Sequence, residues 1–447
     1  MGHQLTRIAL ISCLSSGIAL SGCEKKASPT IVSAEEKVRS ELADLVNGNS
    51  DSARSLAGLA VAVLRGGELS FEATFGRAYI DPKGMNDRVL TPESLIRIAS
   101  ISKTLSAVVV MQLVDEGLLE LDRDVSDYLG WELRNPAYPD RPITLRQLLA
   151  HVSSIKDAGE SYIIRYPRAL QEAFDPVGPD FDERFQTAMH DTDRGPSEWY
   201  EYANLNFGVI GTVLEKVTGE RFDVLMQKRI FEPLSLPGGF NVANFSDSER
   251  QSLATLYRKR DRDGNWNPEG DWIPQTDDLS SGVPTALPEG ADYVPGTNGA
   301  QFSPQGGARL SLRGLETLAR LFISDGSIGG VRMLSPNSMM ELRHPVWQPE
   351  VKNSGESDHT STVRTAGMRV LTGQYEGDRL FAGDERRWIG HFGTAYGLMA
   401  GVWVDPETGD GIVFAITGTA FDPDADPAGG NKPIRVKVLN QLGVLLK

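Results

Sequence analysis

A serine lies three residues before a lysine at the start of an apolar run, in Ser100-Ile101-Ser102-Lys103. Residues three apart share one face of a helix, so we expect the hydroxyl of Ser100 to meet the amine of Lys103. The run that follows, residues 107–111, has no polar stripe and predicts a helix buried on all sides. A lysine at the mouth of such a helix is poorly solvated, which favours the neutral amine that accepts a proton. That neighbouring base is what a serine needs to act as a nucleophile.

Spacing alone does not identify such a site, because the pattern occurs again in Ser153-Ser154-Ile155-Lys156. Residues 157–159, Asp-Ala-Gly, follow this second match where a buried helix would be needed. We therefore interpret the second match as part of a loop without a chemical role. The first match needs partners elsewhere in the chain.

Two further motifs supply candidate partners. Tyr202-Ala203-Asn204 is the only Tyr-x-Asn in the chain and precedes a helical pattern over residues 207–217. His391-Phe392-Gly393 is the only His-x-Gly and lies on a predicted strand. Gly393 has no side chain, so a substrate backbone could approach the strand edge closely there. Loops at helix starts and strand edges are suitable places to aim polar groups into a cleft.

These three motifs, in this order, resemble the serine β-lactamase and penicillin-binding-protein superfamily, and most closely its branch of class C β-lactamases, esterases and DD-peptidases. The resemblance extends from about residue 35 to the C-terminus. Four other stretches agree with it: residues 97–99, 117–122, 143–151 and 303–307. It implies an α+β fold of the β-lactamase/transpeptidase type. An antiparallel sheet would be flanked by helices from both chain ends, with a helical lobe inserted at about residues 115–300.

The resemblance also implies a role for each residue of the first two motifs. Ser100 is expected to be the acylated nucleophile and Lys103 its proton partner. Tyr202 would act as general base toward Ser100 and as acid toward the leaving group. Asn204 would hold Lys103 and the substrate amide.

The third motif is expected to dock the substrate. His391 and Gly393 would line the docking strand, and the backbone N–H groups of Ser100 and Thr394 would form the oxyanion hole. His391 either meets a substrate carboxylate as a cation or stays neutral and donates a hydrogen bond. The resemblance implies neither a metal ion nor a cofactor.

The implied activity is hydrolysis of an ester or amide through an acyl-enzyme, with a β-lactam, a D-Ala peptide or a carboxylic ester as substrate. Penicillin-recognising relatives often carry Lys-Thr-Gly where this chain has His391-Phe392-Gly393. A histidine is only partly charged near neutral pH, and Phe392 is bulky, so esterase or peptidase activity competes with β-lactamase activity. The alternative is a non-catalytic peptidoglycan- or ligand-binding protein on the same fold. The three intact motifs count against it.

Other polar and aromatic residues near the motifs have simpler structural interpretations. We expect Ser102 to face away from the site and His151 to close a helix. Trp199 and Tyr200 are expected to pack beside a loop. Gln305 is expected to belong to a turn.

Competing chemistries lack their motifs. No Gly-x-Ser-x-Gly elbow, no His-Glu-x-x-His and no phosphate-binding loop occurs in the sequence. The six histidines include no pair with the spacing of a zinc motif. We therefore expect no metal ligands in this chain.

The N-terminus resembles a bacterial lipoprotein leader. An apolar run over residues 8–20 is too short to span a membrane and ends in Leu20-Ser21-Gly22-Cys23. Residues 1–23 are thus predicted to be a signal peptide ending at a lipidated Cys23, with a polar tether at residues 24–33 and a single catalytic domain at 34–447. Both cysteines, Cys13 and Cys23, lie in this leader, which favours an anchor over a disulfide. The expected location is the cell envelope, facing the periplasm; the alternative is ordinary secretion.

The net charge of −15 and the pI near 5.0 argue against nucleic acid as a partner and against a basic membrane-binding patch. Membrane contact is therefore expected through the lipid alone. The expected partners are small-molecule or peptide substrates, and the sequence leaves the oligomeric state open.

Hydrophobic periodicity predicts the elements that must position the motifs. Residues 260–307 are rich in Gly, Pro, Asp and Asn and are predicted to be irregular. The predicted helices are residues 32–46, 312–324 and 433–446. The predicted strands are residues 59–64, 68–75, 398–404 and 412–416.

Overall fold

The computed structural model describes residues 33–48, 56–157, 162–178, 182–185, 194–260, 263–350, 353–354, 362–374, 376–420 and 433–447. The predicted signal peptide, Cys23 and all of the tether except Ser33 lie outside these residues. Ala34–Lys447 forms one compact unit.

An eight-stranded sheet forms the centre of this unit, and all of its neighbouring strands pair antiparallel. The strands of the described chain are β1 (Gly58–Arg65), β2 (Glu68–Tyr79), β3 (Arg88–Val89), β4 (Ile96–Arg97), β5 (Leu256–Arg258), β6 (Ile273–Thr276), β7 (Arg309–Leu310), β8 (Ser327–Ile328), β9 (Val331–Arg332), β10 (Val363–Arg364), β11 (Arg369–Leu371), β12 (Trp388–Ala395), β13 (Leu398–Asp405), β14 (Asp410–Ile416) and β15 (Gly418–Thr419). The order in the large sheet is β10-β11-β12-β13-β14-β1-β2-β3, and the other strands form small separate sheets.

Helices cover both faces of the sheet. They are α1 (Ala34–Asn47), α2 (Ser102–Asp115), α3 (Val125–Leu129), α4 (Leu145–Leu149), α5 (Leu205–Thr218), α6 (Phe222–Met226), α7 (Asp247–Ser252), α8 (Leu312–Ile323), α9 (Pro336–Arg343) and α10 (Pro433–Val444). The terminal helices α1 and α10 pack on one face, and α8 packs on the other.

Strand β1 is apolar from Gly58 to Leu64 because both of its faces are buried there. Side chains alternate across a strand, so Leu59, Val61 and Val63 join the core beneath α1 and α10. Ala60 and Ala62 join the larger core on the opposite face. This layered arrangement confirms the predicted antiparallel sheet flanked by helices.

The inserted segment at about residues 115–300 contains less helix than the sequence predicted. Among its described residues, α5 is the longest helix, α6 continues directly as a π-helix over Gln227–Phe231, and the other α-helices have five or six residues. Glycines in the left-handed region end two of the helices, Gly130 after α3 and Gly219 after α5. Residues 263–307 are largely irregular as predicted, apart from β6 and two 3₁₀ turns.

Within the described part of the chain, every helix is too short or too polar to cross a bilayer.

Candidate active site

Ser100 lies in a single 3₁₀ turn, Ala99–Ile101, and α2 begins only at Ser102. The sequence predicted one continuous helix. A 3₁₀ turn has about three residues per turn, so side chains three apart lie directly above one another. Ala99 has φ of +46°, a conformation that non-glycine residues rarely adopt and that is concentrated at functional sites. This turn presents the hydroxyl of Ser100 to Lys103.

The amine of Lys103 is fully buried and has three oxygen partners. Its Nζ lies 2.9 Å from Asn204 Oδ1, 2.9 Å from the carbonyl oxygen of Gln305 and 3.2 Å from Ser100 Oγ. The first two oxygens can only accept a hydrogen bond, whereas a hydroxyl can also donate one. A charged lysine donates to all three oxygens; once it has lost a proton, its two N–H groups stay with Asn204 and Gln305 and its lone pair faces Ser100 Oγ. The geometry therefore suits transfer of the Ser100 proton to the neutral amine.

Tyr202 provides a second proton partner for the same hydroxyl. Its Oη lies 2.9 Å from Ser100 Oγ. Lys103 Nζ lies 4.9 Å from the centroid of the Tyr202 ring, within range of a cation–π interaction. Ser100 is thus bracketed by an amine and a phenol.

His151 supports the loop that carries Tyr202. The two rings stack with their centroids 4.4 Å apart, and His151 Nδ1 accepts the N–H of Ala203 at 3.2 Å. Burial, with the nearby charges of Lys103 and Arg364, holds the pKa of His151 well below its ordinary value. The neutral ring can therefore keep an acceptor at Nδ1. The predicted structural histidine also positions the candidate base.

Asp157 is a site residue that the sequence analysis missed. Its carboxylate accepts hydrogen bonds from the backbone N–H and the side-chain Nδ2 of Asn204, both at 3.0 Å, and from the N–H of Leu205 at 2.9 Å. It thereby caps α5, because the side chain of the N-cap residue, Asn204, does not. The bond to Nδ2 also turns Asn204 Oδ1 toward Lys103.

The second Ser-x-x-Lys match does lie in a loop, as predicted. Ser153 Oγ donates to Asn206 Oδ1 at 2.7 Å and is fully buried. Asp157 directly follows this stretch, where a buried helix would have been needed. The loop therefore has a supporting role at the site that its motif does not indicate.

Strand β12 offers an open edge beside Ser100. Strand β11 pairs with β12 only as far as Gly390, so no described strand pairs with residues 391–395 on that side. The two-residue turn Tyr396-Gly397 has φ of +57° and +89°, as in a type I′ hairpin. Such a hairpin closes on a hydrogen-bonded pair, so the peptide groups of the next pair point outward. The N–H of Thr394 therefore faces the open edge.

Gly393 allows this strand to pack against the turn of Ser100. A Cβ at this position would lie 2.3 Å from the carbonyl oxygen of Ile98. We expected the glycine to admit a substrate backbone. The structure gives it another reason, which is close contact between β12 and the turn that carries the candidate nucleophile.

His391 is buried, with 4% of its surface exposed. Burial, with the charges of Lys103 and Arg369, holds its pKa well below the ordinary value, which favours the neutral alternative over the cation. Its Nδ1 lies 2.5 Å from the carbonyl oxygen of Phe392, so Nδ1 carries the proton and donates it. The other nitrogen, Nε2, is then a hydrogen-bond acceptor rather than the donor that we expected.

Phe392 does not narrow the site, contrary to the concern raised by its size. Side chains alternate along β12, and the ring of Phe392 packs on the far face of the sheet. Its centroid lies 4.6 Å from that of Trp403, and the guanidinium carbon of Arg435 lies 4.2 Å from it. The bulk of this residue therefore serves the core beneath α10.

The residues expected to be structural largely are. Ser102 Oγ accepts the N–H of Ala308, and Tyr200 stacks on Trp347 at 4.8 Å. Gln305 differs, because its backbone carbonyl is one of the three partners of Lys103. Because the backbone makes this contact, the type of residue at this position does not predict it.

Comparisons with known proteins identify the family of the chain. Residues 37–436 match the sequence model of the Beta-lactamase family. The chain is 26% identical over 330 residues to Penicillin-binding protein 4 of Amycolatopsis lactamdurans, covering 73% of this chain and 72% of the relative. It is 26% identical over 269 residues to Esterase EstB of Burkholderia gladioli, covering 59% of this chain and 62% of that relative.

A solved structure of a class C β-lactamase from Rhodobacter sphaeroides superposes with a TM-score of 0.62 at 16% identity, covering 93% of this chain and 99% of that one. At that identity the likeness shows the fold alone. The family match extends over most of the chain and includes all three motifs. The chain belongs to the β-lactamase family and is a protein of the serine hydrolase kind.

Proposed function

We propose that this protein hydrolyses carboxylic esters or amides through an acyl-enzyme on Ser100. The observation that carries the proposal is the position of Ser100 Oγ, 2.9 Å from Tyr202 Oη and 3.2 Å from Lys103 Nζ. A serine hydroxyl in contact with two proton partners meets the structural requirement for an activated nucleophile.

Acylation begins when Ser100 Oγ attacks the carbonyl carbon of the substrate. The Oγ–C bond forms as the hydroxyl proton passes to the neutral amine of Lys103 or to Tyr202 in its phenolate form. The negative charge moves to the carbonyl oxygen, where the N–H groups of Ser100 and Thr394 stabilise it. The bond to the leaving group then breaks, and Tyr202 returns a proton to the departing oxygen or nitrogen. The alcohol or amine leaves and the acyl group stays on Ser100.

Deacylation repeats these steps with water as the nucleophile. Tyr202 or Lys103 takes one proton from water as its oxygen attacks the ester carbon. The C–Oγ bond then breaks, and the proton returns to Ser100. Asn204 supports both steps because it fixes the amine of Lys103, and Asp157 fixes Asn204.

The neutral state of His391 bears on the substrate. A permanent cation at this point of the strand would attract the carboxylate of a penicillin, whereas a neutral ring with a free acceptor suits a substrate N–H or hydroxyl group. This favours esters and peptide-like amides over β-lactams. Because the ring of Phe392 packs on the far face of the sheet, it does not affect the choice among these substrates.

Intact-protein mass spectrometry after rapid mixing tests the proposal. A p-nitrophenyl ester should add its acyl mass to the wild type, and peptide mapping should place it on Ser100 and not on Ser153. Ser100→Ala should give neither adduct nor p-nitrophenol release, while a matched change of the exposed Ser70 to Ala should give both. Turnover that persists in Ser100→Ala refutes the mechanism. A wild type that binds substrate-like ligands without any turnover supports the binding-protein alternative.

A further inference from the structure

A cavity of about 200 Å³ lies beside the turn of Ser100, lined by Arg97, Arg165, Arg309, Tyr396 and Ser303 among other residues. Sites for a whole drug-sized ligand usually measure about 300–1,000 Å³, so this cavity suits one substituent of a substrate. None of the described residues that line it is acidic. The cavity therefore contains an excess of positive charge in a protein whose net charge is −15.

Arg309 does not account for that excess, because it is neutralised. Its Nη2 and Nε donate to the two carboxylate oxygens of Asp277 at 2.6 Å and 3.1 Å, and its Nη1 donates to the carbonyl oxygen of Gly307 at 2.7 Å. Both members of this pair are buried. Arg309 and Asp277 are thus a structural ion pair of the cavity wall.

Arg97 is different. Its Nε donates to the carbonyl oxygen of Gly306 at 3.0 Å, and its Nη1 lies 3.5 Å from Thr276 Oγ1. Its guanidinium carbon lies 4.8 Å from the centroid of the Tyr396 ring. Within the described ranges no carboxylate pairs with Arg97, and Nη2 has no hydrogen-bond acceptor. Burial and the charge of Arg309 lower the pKa of Arg97, and the opposing effects of Tyr396 and Asp277 do not offset them.

Two adjacent backbone carbonyls contact both the candidate catalytic residues and the wall of the cavity. The carbonyl oxygen of Gln305 accepts from Lys103, and that of Gly306 accepts from Arg97. Arg97 precedes Ser100 by only three residues, so their Cα atoms lie at most about 10 Å apart. This proximity makes the cavity a candidate for the far end of an acyl chain on Ser100.

The open edge of β12 indicates which half of the substrate faces the cavity. His391, at one end of the edge, lies beside Tyr202, with ring centroids 6.5 Å apart. Tyr396, just beyond the other end, contacts Arg97. Since Tyr202 protonates the leaving group in the proposed mechanism, the leaving group occupies the His391 end. The acyl half then extends toward Tyr396 and the cavity.

We propose that this cavity binds an anionic group at the far end of the acyl half of the substrate, with Arg97 as its main partner and Arg165 as a second cation at the rim. The inference rests on the proposed function and names its substrate class, which is esters or amides of dicarboxylic or similarly anionic acids. Arg165 is exposed, its guanidinium has no partner among the described residues, and it lines the same cavity. A guanidinium offers two parallel N–H groups to a carboxylate, which suits this recognition.

The test compares two esters with the same leaving group and chain length, mono-p-nitrophenyl adipate and p-nitrophenyl hexanoate, with the uncatalysed rates subtracted. We expect kcat/KM to favour the anionic ester by about tenfold or more, and the preference to weaken at high salt. Arg97→Gln should abolish the preference while the hexanoate is still hydrolysed. Arg165→Gln should reduce it.

Arg65→Gln is the matched control, because it removes one positive charge at the end of β1 opposite the site and should leave the preference unchanged. Equal kcat/KM for the two esters in the wild type overturns the inference and leaves the proposed function intact. An unchanged preference in both Arg97→Gln and Arg165→Gln also overturns it. If neither ester is hydrolysed, the proposed function fails and this inference fails with it. If Arg97→Gln does not fold, the preference of the wild type and the effect of Arg165→Gln still test the inference.

Discussion

Replacing Asp157 with asparagine tests whether the loop beside the site positions Lys103. The carboxylate accepts three hydrogen bonds, two from Asn204 and one from Leu205. The substituted amide would keep one oxygen acceptor, which can still serve Asn204, but its NH₂ group would face the N–H of Leu205. A hydrogen bond to a charged acceptor contributes about 1.5–3 kcal/mol. We therefore expect Asp157→Asn to lower the free energy of unfolding by about 2–3 kcal/mol.

The same change should lower the turnover rate. Asn204 Oδ1 is one of three partners of Lys103 Nζ, and the bond from Nδ2 to Asp157 fixes its direction. A loosened amide is expected to cost about 1–2 kcal/mol of transition-state stabilisation, which corresponds to a fall in kcat of about five- to thirty-fold. KM should change little, because Asp157 acts on the proton transfer and not on the docking edge.

Thermal or urea unfolding and steady-state hydrolysis of a p-nitrophenyl ester measure the two effects. Asp124→Asn is the matched control, because Asp124 also caps a helix, α3, by accepting the N–H of Ser126 at 2.9 Å, and it pairs with Arg134. The control should lose stability and keep its kcat. If Asp157→Asn unfolds earlier but turns over at the wild-type rate, Asp157 is only a cap and the positioning role is refuted.

Three further predictions follow from the site, the sheet and the leader. Tyr202→Phe should reduce kcat by about a hundredfold or more with little change in unfolding, since the ring remains stacked; near-normal turnover would remove Tyr202 from the mechanism. Burial and the neighbouring Glu72 raise the pKa of Glu316 to about 7, so the wild type should lose unfolding free energy relative to Glu316→Gln as pH rises from about 4.5 to 7, by up to about 3 kcal/mol. Glu316→Gln should therefore gain most over the wild type at pH 8, and an equal stability difference between the two proteins in urea at pH 5 and pH 8 would contradict it. We propose that Cys23 carries a lipid anchor, so Cys23→Ser should release the protein from membranes with ester hydrolysis intact; a variant that stays membrane-bound in high salt would rule this out.

Much of the fold was predictable because its periodicities are local. The strands at residues 59–64 and 398–404 and the helix at residues 312–324 follow from apolar patterns that the structure reproduces within a few residues. The inserted segment was less predictable. Its many glycines and polar turn residues end helices early, and its hydrogen bonds join residues that are far apart in sequence.

In the candidate site too, contacts between residues close in sequence were predictable and contacts between distant residues were not. Ser100 and Lys103 are three residues apart, so their contact follows from local geometry. Asp157 acts on a helix that begins 48 residues later, and Gln305 acts through a backbone carbonyl. Neither contact is encoded in a motif. Side chains alternate along a strand, so the sequence His391-Phe392-Gly393 was enough to predict that Phe392 points to the opposite face from His391.

The open edge of β12 also has a consequence for solubility. Unpaired peptide groups on a strand can join a strand of another molecule, which is how many sheet proteins aggregate. The open part covers only residues 391–395, whereas the segments that form stable cross-β stacks usually have about six or seven residues. The hairpin turn at Tyr396 ends it on one side and β11 ends it on the other. The edge proposed to dock substrates is thus too short to serve as a template for self-association.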